Sequence, residues 1–278
     1  MRKREASGPR PKDWARYRAV GAGVELLEAE FERYVYERHF HDTYAIGVTL
    51  RGVQRFRCAA RTHDSVPGDV MMIPPGEVHD GKSGSSGGYA YWMFYVPETV
   101  LWDVLREDSA TGGGTPWAGT IVLKGDPTRA RRLEELWQAM RSDPQSLHAQ
   151  EAFVRAFAGL SPAEPPNVVS RVTADRTLLR VRDYLHDHLE HRIGMPELAA
   201  IAGMSRFQLT RRFERAFGLP LHAYHVQARL HEARRRLRRG GAISSVAHEL
   251  GFADQSHLHR RFKGSFGTTP GEWRDAVV

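Results

Sequence analysis

An internal repeat in the C-terminal part of the sequence limits the possible folds more than any other feature. Residues 198–203 resemble residues 246–251 at an offset of 48, and after one extra residue the match continues at an offset of 49. The aligned positions are Ser205 with Asp254, Leu209 with Leu258, Arg212-Phe213 with Arg261-Phe262, Phe217-Gly218 with Phe266-Gly267, and Tyr224 with Trp273. Two copies of one supersecondary unit therefore follow each other in this part of the chain.

Each copy has the pattern of a helix, a glycine turn and a second helix. Gly203 and Gly251 suit the left-handed conformation that ends the first helix. Ser205 and Asp254 are good N-caps for the second helix. In each second helix a leucine and a phenylalanine four residues apart form an apolar pair, which anchors that helix to a core. The opposite face of the second helix is then free to meet a partner.

That free face carries side chains of the kinds that read the edges of DNA bases. The predicted DNA-binding residues are Arg206, Phe207, Thr210 and Arg211 in the first unit and Gln255, Ser256, His259 and Arg260 in the second. A helical repeat protein is the alternative, but it would need at least three units. The sequence thus predicts two helix-turn-helix units that enter successive major grooves of double-stranded DNA.

The distribution of charge supports a polyanionic partner for the same region. The net charge of +7 falls on residues 175–278, which hold 18 basic and 11 acidic residues, whereas residues 1–174 hold 22 of each. The arginines at 234–236, 238 and 239 either contact phosphates or form a solvated face, and the sequence leaves both open. The imbalance indicates that only the C-terminal domain binds nucleic acid.

The C-terminal sequence also resembles the signature of AraC/XylS-type regulators over about 100 residues. The matching residues are Ala228-Arg229-Leu230, Ala233, Leu237, residues 243–247, Leu250-Gly251-Phe252, Arg261-Phe262-Lys263, residues 266–270 and Trp273-Arg274. Leu258 and Trp273 stand where the family more often has Phe and Tyr. The resemblance implies a long helix between the units, for which Leu221–Arg238 fits, an N-terminal cupin-like effector domain, and a contact with RNA polymerase.

The N-terminal half predicts short strands followed by a helical hairpin. Strands are expected at 44–50, 53–57, Val70–Ile73 and Tyr89–Val96, and two helices at 126–140 and 149–160. The apolar residues of the hairpin are Leu133, Leu136, Trp137, Met140, Phe153 and Phe157. They form more apolar surface than a lone hairpin can bury, so the hairpin is expected to form a homodimer.

Residues 68–79 resemble the second cupin motif, and His39-Phe40-His41 resembles the start of the first. Alternation places His39 and His41 on one face of a strand, and His79 returns toward the mouth of the barrel. The glutamate expected after His41 is missing. We therefore expect a small organic effector bound without metal or cofactor, although three histidines also allow a metal site. The predicted ligand-binding residues are His39, His41, Tyr44, His79 and Tyr91.

The predicted fold is multidomain: an N-terminal cupin-like β-barrel with a helical hairpin, and a C-terminal all-α domain, each with its own core. The boundaries are a mobile basic arm at 1–18, an effector and dimerisation domain at 19–160, a linker at 161–174, and the DNA-binding domain at 175–278.

The predicted function is that of a transcription regulator controlled by an effector, and not that of an enzyme. The rivals are a metal-dependent cupin enzyme fused to a DNA-binding domain, and a DNA-binding protein whose barrel only dimerises. The single cysteine, Cys58, excludes an internal disulfide and fits a cytoplasmic protein. No apolar run is long enough to span a membrane.

Overall fold

The N-terminal domain is a barrel of two antiparallel sheets in this computed structural model, which describes residues 13–58, 61–107, 120–158, 160 and 175–278. Its strands are β1 (Trp14–Ala19), β2 (Glu25–Phe31), β3 (Tyr36–His39), β4 (Tyr44–Gly52), β5 (Gln54–Cys58), β6 (Arg61–Ser65), β7 (Val70–Ile73), β8 (His79–Ser83), β9 (Tyr89–Val96) and β10 (Ile121–Leu123). One sheet has the order β1-β2-β9-β4-β7-β10, and the other has the order β3-β8-β5-β6. The two sheets form the β-barrel that the sequence predicts, and they enclose an aromatic interior.

The N-terminal arm is shorter than the sequence suggested. Residues 14–18, which were expected to belong to a mobile arm, lie in β1, where Trp14 is paired with Glu30 and Ala19 with Glu25 of β2. The pairing extends the larger sheet by one strand, because Tyr17 supplies a buried side chain that an arm would leave exposed. Residues 1–12 and the expected linker at 161–174 lie outside the described residues.

Alternation along β9 separates the two faces of the larger sheet. Tyr91, Met93 and Tyr95 point into the barrel, whereas Trp92 and Phe94 point to the outside. The sequence could not assign these faces because both are apolar. The outer face is apolar because a layer of helices covers it, so β9 is a buried central strand.

Three helices cover the outer face: α1 (Glu98–Glu107), α2 (Pro127–Ser142) and α3 (Leu147–Ala158). The hairpin of α2 and α3 confirms the helical pattern of that segment, whereas α1 was not expected. Trp137 of α2 is 2% exposed and stacks on Trp92 with 4.9 Å between the ring centroids. The apolar face of the hairpin is thus buried against its own barrel, and the argument that it must be covered by a second chain was wrong.

The C-terminal domain is all helical and contains the two expected units. Its helices are α4 (Arg176–Asp187), α5 (Met195–Ala202), α6 (Arg206–Phe217), α7 (Leu221–Arg238), α8 (Ile243–Glu249), α9 (Gln255–Phe266) and α10 (Pro270–Val277). Gly203 and Gly251 have φ values of 59° and 67°, as the turns require. Ser205 caps α6 by accepting from the Gln208 amide, and Asp254 caps α9 by accepting from the His257 amide. The start, turn and cap of each unit are therefore confirmed.

The two domains share their apolar cores. Phe40, which follows β3, is buried in one cluster with Leu178, Leu209 and Phe213 of the first helix-turn-helix unit. The interior of the barrel forms one continuous cluster with the second unit, in which Phe31 and other barrel residues join the core of α9 and α10. The expectation that each domain has a separate core was wrong, because the barrel contributes side chains to both units.

A buried carboxylate on β2 holds the second unit against the barrel. Glu25 is 3% exposed and accepts hydrogen bonds from Arg234 Nη2 at 2.5 Å, from Trp273 Nε1 at 3.2 Å, and from Arg238. Arg234 is itself buried, with its guanidinium over the rings of Phe266 and Trp273. An ion pair withdrawn from water in this way is stable only while both partners are present.

This contact corrects the interpretation of the arginine run in α7. Arg234 and Arg238 bind Glu25, and Arg236 binds Glu190, Glu232 and Glu249. Arg235 binds Glu232 as well. These four arginines are paired with carboxylates of the same chain; Arg234 is buried in its pair, whereas Arg235 and Arg238 remain exposed.

We expect the substitution Glu25→Gln to lower the free energy of unfolding by about 3–5 kcal/mol, because it leaves the Arg234 charge buried without a counter-ion. Urea unfolding followed by circular dichroism measures this loss. The control is Glu30→Gln, which removes a carboxylate from the same strand in a half-exposed pair with Arg51 and should cost less than about 1 kcal/mol. Equal losses in the two variants would contradict a stabilising role for the Glu25 contact.

Candidate functional site

Three histidines converge inside the barrel. His39 ends β3, His41 lies two residues later, and His79 begins β8, where it pairs with His39 across the two strands. The ring centroids of His39 and His79 are 4.4 Å apart, and those of His41 and His79 are 5.0 Å apart. All three side chains are at most 7% exposed. The cupin-like motifs therefore bring together the three histidines that the sequence singled out.

Backbone carbonyls orient two of the three rings in the same way. The Nδ1 atom of His39 lies 2.7 Å from the carbonyl oxygen of Glu37, and that of His79 lies 3.0 Å from the carbonyl oxygen of Glu77. Because a carbonyl oxygen only accepts, Nδ1 donates in both cases and carries the proton. The Nε2 atom of each ring is then an unprotonated nitrogen with a free lone pair. The Nδ1 atom of His41 is buried without a hydrogen-bond partner.

The environment of these imidazoles keeps them neutral. Burial lowers the pKa of His39, His41 and His79 below the ordinary value of histidine. In His39 and His41 the repulsion between neighbouring imidazolium charges lowers the pKa further. The cluster therefore offers nitrogen lone pairs and not positive charge at pH 7.

The histidines line a small cavity of about 20 Å³, close to the size of one water molecule. Tyr91 also lines it, and its hydroxyl lies 2.9 Å from that of Tyr36. The lining also includes residues that were not among the predicted ligand-binding residues: Tyr36, Gln54, Phe56, Ile73, Met93 and Tyr95. With Tyr91 taken as an inward residue, alternation along β9 adds Met93 and Tyr95, although the apolar pattern of β9 does not itself show which face is inward.

Tyr44, which was expected to line the pocket, does not reach it. Its side chain is buried in the outer cluster with Ile46 and Val48, between the larger sheet and the helical layer. The inward position of β4 belongs to Ala45 instead. Both faces of β4 are apolar, so the sequence did not reveal which residues point inward.

Residues of the cavity contact groups that hold the DNA-binding domain. Tyr95 packs on His41 with 4.7 Å between ring centroids and on Tyr17 with 6.0 Å. The Tyr17 hydroxyl donates to the carbonyl oxygen of Phe266, at the end of α9, at 2.9 Å. A continuous chain of contacts thus runs from the histidines to the recognition helix of the second unit.

The segment around Phe40 makes the corresponding link to the first unit. Its neighbours His39 and His41 face the cavity, whereas the Phe40 ring stacks on Tyr224 and His231 of α7 at centroid distances of 5.2 and 5.1 Å. The Phe40 carbonyl oxygen lies 2.9 Å from the His231 Nε2 atom. The segment that carries two of the three histidines therefore contacts the helix that joins the two units.

The predicted base-reading residues lie on two helices whose outer faces are free of the barrel. In α6, Arg206, Phe207 and Arg211 are exposed, and the Arg211 guanidinium lies over the Phe207 ring at 5.5 Å. Thr210 is half-buried and donates to the Arg206 carbonyl oxygen. In α9, Gln255, Ser256 and Arg260 are exposed, whereas His259 is half-buried and its Nε2 atom is buried without a partner.

A larger cavity of about 340 Å³ lies between the two units and opens to the surface. Its lining includes Arg192, His222, His225, Arg229 and His257, and no acidic residue. Although it exceeds the barrel cavity in size, it is lined by the helical domain alone and has no contact with the cupin-like motifs. Its positive charge comes from Arg192 and Arg229, because burial lowers the pKa of His225 to about 4, and this charge favours anionic groups such as phosphates.

Comparisons with known proteins match both domains. Residues 21–157 match the AraC-like ligand-binding domain, and residues 198–276 match a helix-turn-helix domain. The HTH-type transcriptional regulator YbfI of Bacillus subtilis is 24% identical over 232 residues, which are 80% of this chain and 81% of that protein. The arabinose operon regulatory protein of Salmonella typhimurium is 25% identical over 248 residues, which are 83% of each chain.

Solved structures share the architecture of the whole chain. A structure of ToxT from Vibrio cholerae superposes with a TM-score of 0.62 at 12% identity and covers 93% of this chain and 99% of ToxT. This similarity concerns the fold, in which a sheet-rich ligand-binding domain precedes a helical DNA-binding domain. Among the described residues, no helix is long and apolar enough to cross a membrane.

Proposed function

The chain belongs to the AraC family of transcription regulators, and we propose that an effector in its barrel sets the position of its two recognition helices. The observation that carries this proposal is that neighbouring residues of one short segment contact the two different domains. His39 and His41 face the barrel cavity, and Phe40 between them packs in the core of the first unit. The chain acts through binding and not through catalysis.

The small size of the barrel cavity suggests how an effector would act on the helical domain. At about 20 Å³ it is far smaller than the pockets that hold organic ligands, which measure about 300–1,000 Å³. A small organic effector enters only if Tyr95 and its neighbours move, and Tyr95 packs on Tyr17, which binds α9. Effector binding therefore favours a state in which the recognition helices are held differently.

We expect an effector to change the affinity for DNA through Phe40. A panel of sugars, carboxylic acids and aromatic acids is screened for compounds that raise the melting temperature, and each hit is tested on a DNA site selected from random sequences. In Phe40→Leu a hit should still raise the melting temperature, but the change in DNA affinity should be smaller.

The control for that variant is Phe157→Leu, which shortens a buried phenylalanine in the outer cluster, away from the helical domain. It should keep the full response of DNA affinity to the hit. An unchanged response in Phe40→Leu would contradict coupling through this segment, and the lack of any hit would favour a barrel that binds no effector.

The exposed residues of α6 and α9 are proposed to read the DNA. The first unit offers Arg206 and Arg211, which suit guanine edges, and the second offers Gln255 and Arg260. Phe207, Thr210, Ser256 and His259 complete the two proposed surfaces. The half-buried position of His259 favours a supporting role, so we infer that the first unit discriminates more sharply between sequences.

We expect Arg211→Ala to weaken binding to the selected site by about 1–3 kcal/mol and to have little effect on random DNA. The control Arg155→Ala removes the same charge from the exposed side of α3, far from both recognition helices. Fluorescence anisotropy with both DNAs measures the difference. An equal loss on selected and random DNA would make Arg211 a phosphate contact.

A homodimer and a contact with RNA polymerase are further proposals. Because the inner face of the hairpin is buried, a dimer would use its outer face, where Leu147 is 71% and Val154 is 43% exposed. We expect Val154→Asp to shift the full-length protein from dimer to monomer in light scattering at micromolar concentrations. A wild type that is monomeric under these conditions would exclude the dimer.

A further inference from the structure

The three histidines of the barrel have the spacing of a metal site. One nitrogen from each of His39, His41 and His79 can be chosen so that all three lie within 4.8 Å of one another. Nitrogen ligands of a tetrahedral zinc ion, at about 2.0–2.1 Å from the metal, are separated by about 3.3 Å. Small rotations of the rings therefore bring the three nitrogens into coordination.

The hydrogen bonds of the cluster prepare it for coordination. His39 and His79 each donate Nδ1–H to the carbonyl oxygen two residues earlier, and this leaves the Nε2 lone pairs free. In metal-binding histidines, a hydrogen bond from the ring nitrogen that does not bind the metal fixes the tautomer and the orientation of the ring. A metal bond to the Nδ1 atom of His41 would supply the partner that this buried nitrogen lacks.

The volume of the cavity favours a metal ion over an organic ligand as its occupant. In the conformation seen here, a space of about 20 Å³ accommodates a single ion or water molecule, whereas a sugar or an aromatic acid enters only after Tyr95 and its neighbours move. A water molecule donates only two hydrogen bonds, whereas a cation accepts lone pairs from all three rings. A cation is therefore the occupant that can interact with all three histidine nitrogens at once.

We propose that His39, His41 and His79 bind one divalent first-row transition-metal ion, such as zinc, in place of the metal-free pocket that the sequence suggested. Imidazole suits these ions, whereas magnesium and calcium require oxygen ligands. The cupin-type glutamate is missing, so three neutral ligands leave the ion with its full charge. The remaining coordination position then favours water or an anionic oxygen.

Untagged full-length protein, dialysed free of metal, is titrated with Co²⁺ as a spectroscopic probe and with Zn²⁺ in competition. We expect one ion per chain, a visible absorption band typical of nitrogen-bound cobalt, and a higher melting temperature with metal. His41→Gln and His79→Gln should each lower the affinity at least about 100-fold. His188→Gln is the control, because His188 lies just after α4, where its ring stacks on Tyr184 of the helical domain, and its loss should leave metal binding unchanged.

X-ray absorption of the zinc-loaded wild type keeps the test decisive if a variant fails to fold, since three imidazole ligands are expected at about 2.0 Å. The proposal is overturned by a folded wild type that takes up no metal. It is overturned equally by fewer than three histidine ligands, or by loss of binding in His188→Gln instead of in the barrel variants. These measurements contain no DNA, so they succeed or fail independently of the proposed regulation.

Discussion

The rest of the structure depends on a single carboxylate that has been removed from water. Glu25 is buried at the start of β2, and desolvation of its charge would be costly without Arg234, Arg238 and Trp273 around it. Arg234 is equally buried, so neither partner can leave without exposing the other to an apolar environment. The pair therefore specifies one relative placement of barrel and helices, even where the net energy of a buried ion pair is small.

Two glycines at the domain boundary allow the helices to approach the barrel closely. Gly218, at the end of α6, has a φ of 76°, and a Cβ atom there would lie 2.9 Å from Val78. Gly267, at the end of α9, would bring a Cβ atom within 2.7 Å of the Tyr36 hydroxyl. Both glycines occupy aligned positions of the repeat, and each ends its helix in the left-handed conformation. In the folded chain they also allow the end of each recognition helix to contact the barrel.

Features set by neighbouring residues were predictable, and features set by distant ones were not. The turns at Gly203 and Gly251 and the cap at Ser205 follow from local chemistry, so the sequence predicts them well. The role of Arg234 was missed because its partner lies 209 residues away. Tyr44 was misplaced because a helical layer makes both faces of its strand apolar, which removes the alternation that reveals an inner face.

Phe40 has a consequence for how such a protein can change during evolution. Its ring fills part of the first helix-turn-helix core, although it belongs to the barrel. A gene fusion that joined these helices to another sensor would leave a gap there unless the new barrel offered an aromatic group at the same place. The shape of the domain boundary then limits recombination between regulators of this kind. The barrel and the DNA-binding domain are expected to change together during evolution.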